Sequence, residues 1–335
     1  MTAMKNCKNV LIFIFIFFLN INLSKSETSL KLDDEFFPEG IAVSKFTGDI
    51  FVGSLKENKV VRFPNGKKDP EIFIPSAKND LLSVIGIIVD DRNKMLWVCS
   101  SNPGVSNYPN KNPIISLKAF DLVSGEIINS YPFPGGGFCN DVTIDSNGNV
   151  YATDSFNPRI LRVNKSMNRL ETWIENKDLF QGEGFNLNGI TYIDNSIYTV
   201  KMNSGELFKI DIAENGKPSK INKINLPRPL NAPDGVEAIN KNNLLVVENR
   251  AKGTWIGSLT KINLSSTPTI EILRDGLDTP TTVALKGKNA WVLQAQFSHL
   301  FGDEKDISPD PFEIISVPYK TSFLTSIKKL LNFLN

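Results

Sequence analysis

Residues 231–237 have the sequence Asn-Ala-Pro-Asp-Gly-Val-Glu, in which a polar turn leads directly into an apolar strand. The same arrangement, one polar residue, usually a glycine, and then a short apolar strand, occurs at three other places, and two weaker copies complete a set of six. The copies begin at Glu39, Ile85, Asn140, Asn188, Asp234 and Thr281. Successive copies are 46, 55, 48, 46 and 47 residues apart, which indicates an internal repeat.

A repeat of this length, made of short strands, is typical of β-propeller blades. The third copy shows the pattern best, because an Asn-Gly turn at residues 146–149 joins two alternating strands. We therefore predict an all-β, six-bladed propeller. The last blade has only three strands of its own, and residues 29–33 alternate between apolar and polar. We expect this N-terminal strand to close the last blade, since that hides two sheet edges at once.

Equivalent residues of successive blades form a ring around a propeller axis. Four of the six ring positions carry a carboxylate or an amide, namely Glu39, Asn140, Asn188 and Asp234. Such oxygen donors, without His or Cys, are the ligands of hard cations, and calcium is the first candidate among the divalent ions. A single Asp-Gly or Asn-Gly pair is also ordinary turn chemistry, so the prediction rests on all four sharing one position in the repeat.

A cation held by Glu39, Asn188 and Asp234 would polarise the carbonyl of an ester or lactone, or lower the pKa of a bound water. Asn140 would complete the coordination or orient the substrate, and Asp234 would accept a proton. The first hypothesis is therefore a calcium-dependent lactonase or esterase. The alternative is a non-catalytic propeller that binds a ligand or partner and uses calcium as a structural pin. Asp141 either supports the site or caps its turn.

The composition excludes several functions. Lys+Arg number 37 against 36 Asp+Glu, a net charge of +1, so no nucleic-acid face is expected. His299 is the single histidine, which leaves no partner for a catalytic triad and argues against zinc. We expect a small lactone or ester as the substrate, no membrane contact beyond the leader, and a monomer.

The two ends of the chain differ from the repeats. Lys5 and Lys8 precede an apolar run at residues 10–18, and small residues follow at Ser24 and Ser26. This pattern predicts a secretory signal at 1–26, a propeller at 27–320 and an amphipathic helix at 321–335. The protein would then be secreted or extracytoplasmic, with an uncleaved membrane anchor as the alternative. The helix would pack on its own domain or, alternatively, contact a membrane surface.

Three local features stay open at this stage. Cys99 and Cys139 remain after the leader, and either a disulfide or two buried thiols fits their spacing. Residues 102–113, rich in Pro, Gly and Asn, form an insertion in blade two that either covers the site or is a solvated loop. Asn164 and Asn263 begin glycosylation sequons, which matter only in a glycosylating host.

The ring motifs resemble those of the gluconolactonase/regucalcin-like (senescence-marker-protein-like) six-bladed propellers over residues 37–300. The matching motifs are Pro38-Glu39-Gly40, Asn140-Asp141, Asn188-Gly189 and Pro233-Asp234-Gly235. The resemblance implies a divalent metal, usually calcium, held by Glu39, Asn188 and Asp234 with Asn140 beside it. It also implies hydrolysis of lactones or related esters.

The chain departs from that family at the mouth of the site. Phe138 stands where the sugar-acid lactonases have an arginine, and residues 155–158, Ser-Phe-Asn-Pro, lack their charged substrate contact. Residues 140–154 are equally similar to paraoxonases and strictosidine-synthase-like propellers. The paraoxonase histidine pair has no counterpart here, and a strictosidine-synthase-like enzyme would need a further carboxylate near the mouth. The resemblance therefore implies the metal-binding ring for this chain, but it does not imply a sugar-acid substrate.

Overall fold

A computed structural model describes residues 29–320, and in it the chain forms six four-stranded antiparallel sheets. The innermost strand of each sheet contacts the innermost strand of the next, and the last of these contacts the first. The sheets are thus blades around one axis, which confirms the predicted six-bladed propeller. The predicted leader and C-terminal helix lie outside the described residues.

Strand β1 spans Ser29–Lys31. Blade one comprises β2 (Pro38–Val43), β3 (Ile50–Ser54), β4 (Val60–Phe63) and β5 (Glu71–Ile74). Blade two comprises β6 (Ser83–Asp90), β7 (Met95–Ser101), β8 (Ser116–Asp121) and β9 (Ile127–Pro132). Blade three comprises β10 (Cys139–Ile144), β11 (Val150–Asp154), β12 (Arg159–Asn164) and β13 (Arg169–Glu175).

Blade four comprises β14 (Leu187–Ile193), β15 (Ser196–Lys201), β16 (Glu206–Ile212) and β17 (Pro218–Lys223). Blade five comprises β18 (Pro233–Asn240), β19 (Asn243–Glu248), β20 (Ile256–Asn263) and β21 (Thr269–Asp278). Blade six comprises β22 (Pro280–Lys286), β23 (Asn289–Gln294) and β24 (Glu313–Pro318), together with β1. A 3₁₀ turn (Lys78–Asp80) and two single-turn helices, α1 (Lys177–Phe180) and α2 (Ser298–Phe301), lie between strands. Within residues 29–320, no helix has the length and apolar character that a bilayer crossing requires.

The N-terminal strand closes the ring, as the sequence predicts. Strand β1 pairs with β24, with Ser29 opposite Ile315 and Lys31 opposite Glu313. Leu30 packs into the core with only 5% of its surface exposed. First and last segments of the propeller are therefore joined by a ladder of backbone hydrogen bonds, and both would otherwise present an open edge.

The innermost strand of every blade is irregular at its ring residue. Each pairs regularly with the second strand, and the register shifts at the two residues that include the ring position. Such a bulge re-aims a side chain toward the axis. The strands also approach closely there, since a Cβ on Gly40 would lie 2.1 Å from the carbonyl oxygen of Ile85. A Cβ on Gly189 would lie equally close to the carbonyl oxygen of Asp234, so glycine is required by space at these two positions.

Asp141 takes the place that glycine has in the neighbouring blades. Its carboxylate accepts hydrogen bonds from the backbone N–H of Val142 (2.8 Å) and of Ile190 in blade four (3.0 Å). Asp141 therefore caps the bulge of its own strand and connects blade three to blade four.

A disulfide joins Cys99 of β7 to Cys139 of β10, with 5.1 Å between their Cα atoms. Both residues are fully buried. The bond links blades two and three beside the ring residue Asn140. The structure thus decides between the disulfide and the two separate thiols that the sequence left open.

Candidate functional site

A cavity of about 530 Å³ opens at one end of the axis, and the ring forms its floor. Its lining includes Glu39, Asn140, Asn188 and Asp234, the four predicted ligands, together with the apolar ring residue Ile85. All four polar side chains are at most 6% exposed. The sequence therefore located a real convergence of oxygen-bearing side chains, four residues drawn from four different blades.

The sixth ring residue, Thr281, is not part of the cavity lining. It is fully buried, and its hydroxyl donates a hydrogen bond to the backbone oxygen of Glu39 (3.0 Å). Thr281 thus supports the strand that carries Glu39 without facing the cavity.

Three ring side chains are each held by the residue that follows the second strand of the same blade. The amide nitrogen of Asn140 donates to Ser155 Oγ (2.9 Å), and that of Asn188 donates to Met202 Sδ (3.4 Å). In blade five the direction reverses, and Asn249 Nδ2 donates to Asp234 Oδ2 (3.1 Å). Because the side-chain nitrogens of Asn140 and Asn188 are engaged in these hydrogen bonds, their side-chain oxygens are the atoms left for a ligand at the axis.

Asn249 is the functional residue that sequence reasoning missed. It lines the cavity, and its amide nitrogen also donates to the backbone oxygen of Pro280 (3.0 Å). A signal was present in the sequence, because an antiparallel hairpin places the residue after the second strand beside the start of the first. Ser155, Met202 and Asn249 form a second set of equivalent positions in the repeat.

Buried oxygens at the cavity floor lack hydrogen-bond partners. Among the described residues, Glu39 Oε2, Asn188 Oδ1 and Asn249 Oδ1 are all buried without one. A buried acceptor without a partner costs on the order of 1–3 kcal/mol, more if it is charged. Three such oxygens beside Asp234 are a donor set that a divalent cation would satisfy.

Burial and mutual repulsion raise the pKa values of the carboxyl groups at and below the cavity floor. Burial, followed by the charges of Asp234 and Asp141, raises the pKa of Glu39 well above its ordinary value. Burial and then the charge of Asp141 raise the pKa of Asp234 to about 8, against the opposing charge of Arg250. Burial also raises the pKa of Asp141 to about 7. A positive charge between Glu39 and Asp234 would favour the ionised forms of both carboxyls.

The donor set is mixed. Within residues 29–320, no group of three or more His, Cys, Asp and Glu side chains is placed to hold a metal ion. The ring contributes two carboxylates, and the remaining oxygens come from asparagines. This pattern suits calcium, which accepts amide oxygens, better than zinc, which prefers His and Cys.

A second cavity, of about 270 Å³, lies along the axis beyond the ring. The innermost strands of all six blades line it, and Lys45, Asp141 and Glu237 are its charged residues. Burial raises the pKa of Glu237 to about 7. The positive charge of Lys45 opposes this shift, and the negative charge of Asp141 adds to it. Acidic groups therefore continue along the axis below the candidate site.

Apolar side chains form the walls of the upper cavity. Phe138, Phe156 and Phe185 lie on one side, and Trp255, Phe297 and Phe301 on another. Asn102 and Pro103 from the insertion of blade two also contribute. The insertion is anchored to blade one, because Ser106 Oγ donates a hydrogen bond to Asn58 Oδ1 (2.8 Å). Beyond this anchor, residues 107–112 are largely exposed to solvent. The start of the insertion therefore borders the cavity, and its tip is a solvated loop.

The molecule is therefore a six-bladed β-propeller with an oxygen-lined floor and an apolar mouth at its axis. A comparison of the sequence with models of protein families found no match. A comparison with curated proteins found none either.

Solved structures share the fold across most of both chains. A gluconolactonase from Xanthomonas campestris matches at 12% identity, covering 87% of this chain and 89% of its own, with a TM-score of 0.59. A luciferin-regenerating enzyme matches at 14% identity, covering 87% and 95%, also at 0.59. Virginiamycin B lyase from Staphylococcus aureus matches at 16% identity, covering 86% and 98%, at 0.56. At these identities the likeness shows the fold, and it confirms that the chain has the propeller arrangement of gluconolactonases.

Proposed function

We propose that the protein is a divalent-cation-dependent hydrolase of lactones or related esters, with calcium as the cation. The observation that carries this proposal is the set of buried oxygens without partners, from Glu39, Asn188 and Asn249, in the same cavity as Asp234. Glu39, Asn188 and Asp234 would hold the cation, with Asn140 beside it. When bound, such a cation polarises a carbonyl oxygen and lowers the pKa of a water.

The protein's own residues supply orientation and a proton acceptor. Asn140 is fixed by Ser155, which in turn donates to the backbone oxygen of Leu187 (2.6 Å), so its amide can orient a substrate without moving. Asp234 has one oxygen held by Asn249, and we propose that the other accepts a proton from the attacking water. The aromatic walls would limit competing water around the reacting carbonyl.

A histidine-based mechanism has no support here. His299 does not line the cavity, and its Nδ1 lies 2.9 Å from the backbone oxygen of Ile307. Virginiamycin B lyase, one of the similar structures, becomes catalytically inactive when one of its histidines is replaced by alanine. The likeness to that lyase is therefore less informative about chemistry than the likeness to the gluconolactonase, whose name indicates a lactone as its substrate.

We propose that the protein acts as a monomer outside the cytoplasm. The predicted leader supports this location, and so does the disulfide between Cys99 and Cys139, since such bonds persist mainly in oxidising compartments.

A cavity of about 530 Å³ is of a size for a small molecule.

The test is Asp234→Asn, compared with Glu237→Gln as the control. Glu237 lies on the same strand and also has a raised pKa, but it lines the cavity beyond the ring. We expect Asp234→Asn to abolish calcium-dependent lactone hydrolysis and Glu237→Gln to retain it. The alternative is a ligand-binding propeller with a structural calcium. It would be supported if the wild-type protein hydrolysed no lactone and Asp234→Asn removed the stabilisation that calcium gives to the wild-type protein.

A further inference from the structure

Three aromatic rings form a continuous apolar surface on one side of the cavity. Phe138 lies 5.0 Å from Phe156 and 5.2 Å from Phe185, and the last two lie 5.2 Å apart, all between ring centroids. We call this group the aromatic wall. Phe138 is buried, whereas Phe156 is 49% and Phe185 38% exposed. A large apolar area at the mouth of a site, which no other part of residues 29–320 covers, indicates a binding surface.

Buried polar contacts hold the backbone of the wall in place. Asp154, fully buried at the end of β11, accepts hydrogen bonds from the backbone N–H of Phe138 (2.9 Å) and of Phe156 (3.1 Å). Its other oxygen accepts from Arg159 Nε (3.0 Å). One carboxylate thus fixes two of the three aromatic residues.

Asn186 fixes the third. The backbone N–H of Asn186 donates to the carbonyl of Ser155 (3.0 Å), and its side-chain amide donates to the same oxygen (3.2 Å). The side chain also donates to the carbonyl of Gly184 (3.1 Å), which closes the loop that carries Phe185. The backbone that carries the two exposed rings is therefore held in position before any ligand arrives, which lowers the entropic cost of binding to them.

The other walls offer few groups for a hydroxylated ligand. Across the cavity lie Trp255, with Arg250 stacked 4.6 Å above its ring, and the edge-to-face pair of Phe297 and Phe301. Among the described residues, the polar groups that line the cavity above the ring belong to Asn102, Arg250 and the indole of Trp255. A polyhydroxylated lactone would lose water from its hydroxyls at these walls without enough replacement hydrogen bonds, which is unfavourable.

We propose that the substrate carries a bulky apolar group, alkyl or aryl, which packs on the aromatic wall while its lactone or ester carbonyl faces the ring. This inference rests on the proposed hydrolase function. In the reaction a water oxygen bonds to the carbonyl carbon as Asp234 takes one of its protons, the ester C–O bond breaks, and the released alkoxide takes that proton from Asp234. The products are a carboxylic acid and an alcohol, joined in one hydroxy acid when the substrate is a lactone.

The activity test compares γ-butyrolactone, γ-nonalactone and glucono-δ-lactone in the presence of calcium. We expect kcat/KM for γ-nonalactone to exceed that for the other two at least tenfold, because its alkyl chain buries apolar area on the wall. Phe156→Ala and Phe185→Ala should each lower kcat/KM for γ-nonalactone roughly 5- to 10-fold, with γ-butyrolactone changed less than about 2-fold. Phe46→Ala is the control, because Phe46 is 90% exposed and lies outside the cavity.

A preference for glucono-δ-lactone, or an equal loss on all three lactones, would overturn the inference. Binding of the neutral fluorophore N-phenyl-1-naphthylamine separates this failure from that of the hydrolase proposal. If no lactone is turned over but Phe156→Ala and Phe185→Ala weaken fluorophore binding while Phe46→Ala does not, the apolar site stands and the hydrolase fails. If neither variant changes fluorophore binding, the aromatic wall is not a binding surface.

Discussion

Replacing Asp154 with asparagine should destabilise the protein and loosen the aromatic wall together. The Asp154 carboxylate receives five hydrogen bonds, three at Oδ1 from backbone N–H groups and two at Oδ2 from the side chains of Asn157 (2.9 Å) and Arg159 (3.0 Å). An amide nitrogen in place of Oδ2 would face two donors. Losing two charge-assisted bonds at ~1.5 kcal/mol each gives a cost of about 3 kcal/mol, at the lower end for a broken buried ion pair.

A loss of that size lowers the melting temperature of a domain of this length by roughly 5 °C, because its entropy of unfolding is about 0.6 kcal/mol/K. Calorimetric melting measures it. Hydrogen exchange at the amides of Phe138 and Phe156 should accelerate, because the uncharged oxygen that asparagine keeps accepts their N–H groups more weakly than the carboxylate Oδ1 does. Asp121→Asn is the matched control, since Asp121 also accepts hydrogen bonds from two backbone N–H groups, but in an exposed turn. Wild-type melting for Asp154→Asn would refute the assigned role of the carboxylate. Lower melting with unchanged exchange would refute its role in holding the wall.

Three further outcomes follow from the structure. Replacing Cys99 and Cys139 with alanine should lower the free energy of unfolding in denaturant titrations by about 4 kcal/mol, as expected for a closed loop spanning 40 residues; an unchanged midpoint would contradict this. Without calcium the folded carboxyls of Asp234 and Glu237 hold protons up to about pH 8 and 7, while unfolded ones release them near ~4. The folded state therefore binds more protons in this window, and the chelated protein should melt lower at pH 8 than at pH 5.5; melting that rises with pH would reverse the sign. Asn249→Ala, which removes the partner of Asp234, should weaken calcium binding roughly tenfold in calorimetry, and equal affinity would show that Asn249 does not position the ring.

The sequence was sufficient for the ring because its signal is local and repeated. A polar residue, usually a glycine, and an apolar strand recur at nearly one spacing, so register alone predicts which side chains converge. The closing strand was predictable for a similar reason, since blade six lacked a fourth strand and residues 29–33 alternated. The predicted four-residue convergence at the cavity floor is observed, while the role of these residues as ligands stays a prediction.

The sequence pattern predicts an outer strand in blade one, Glu71–Ile74, but gives little signal for the outer strands of blades two to five. Strands β9, β13, β17 and β21 have mixed or mostly exposed residues, as in Pro218–Lys223, where none is fully buried. Such strands bury little apolar area, so their sequences carry little hydrophobic periodicity, and the neighbouring strand determines their conformation. Asp154 was missed because its importance depends on which backbone N–H groups it meets, and the fold alone determines that. Asn249 was missed although its place after the second strand of blade five was a usable signal, because the sequence does not show that its side chain meets Asp234.

Calcium titration by calorimetry, with lactone and aryl-ester hydrolysis assayed before and after chelation, tests the central claim most directly. The ring of Glu39, Asn140, Asn188 and Asp234 predicts stoichiometric binding of one ion and turnover that chelation abolishes and calcium restores. Binding without turnover on any ester would retain the ring and reject the hydrolase. No binding of calcium or another divalent cation would contradict the account at its base, because the buried oxygens at the cavity floor would then have no cation to satisfy them.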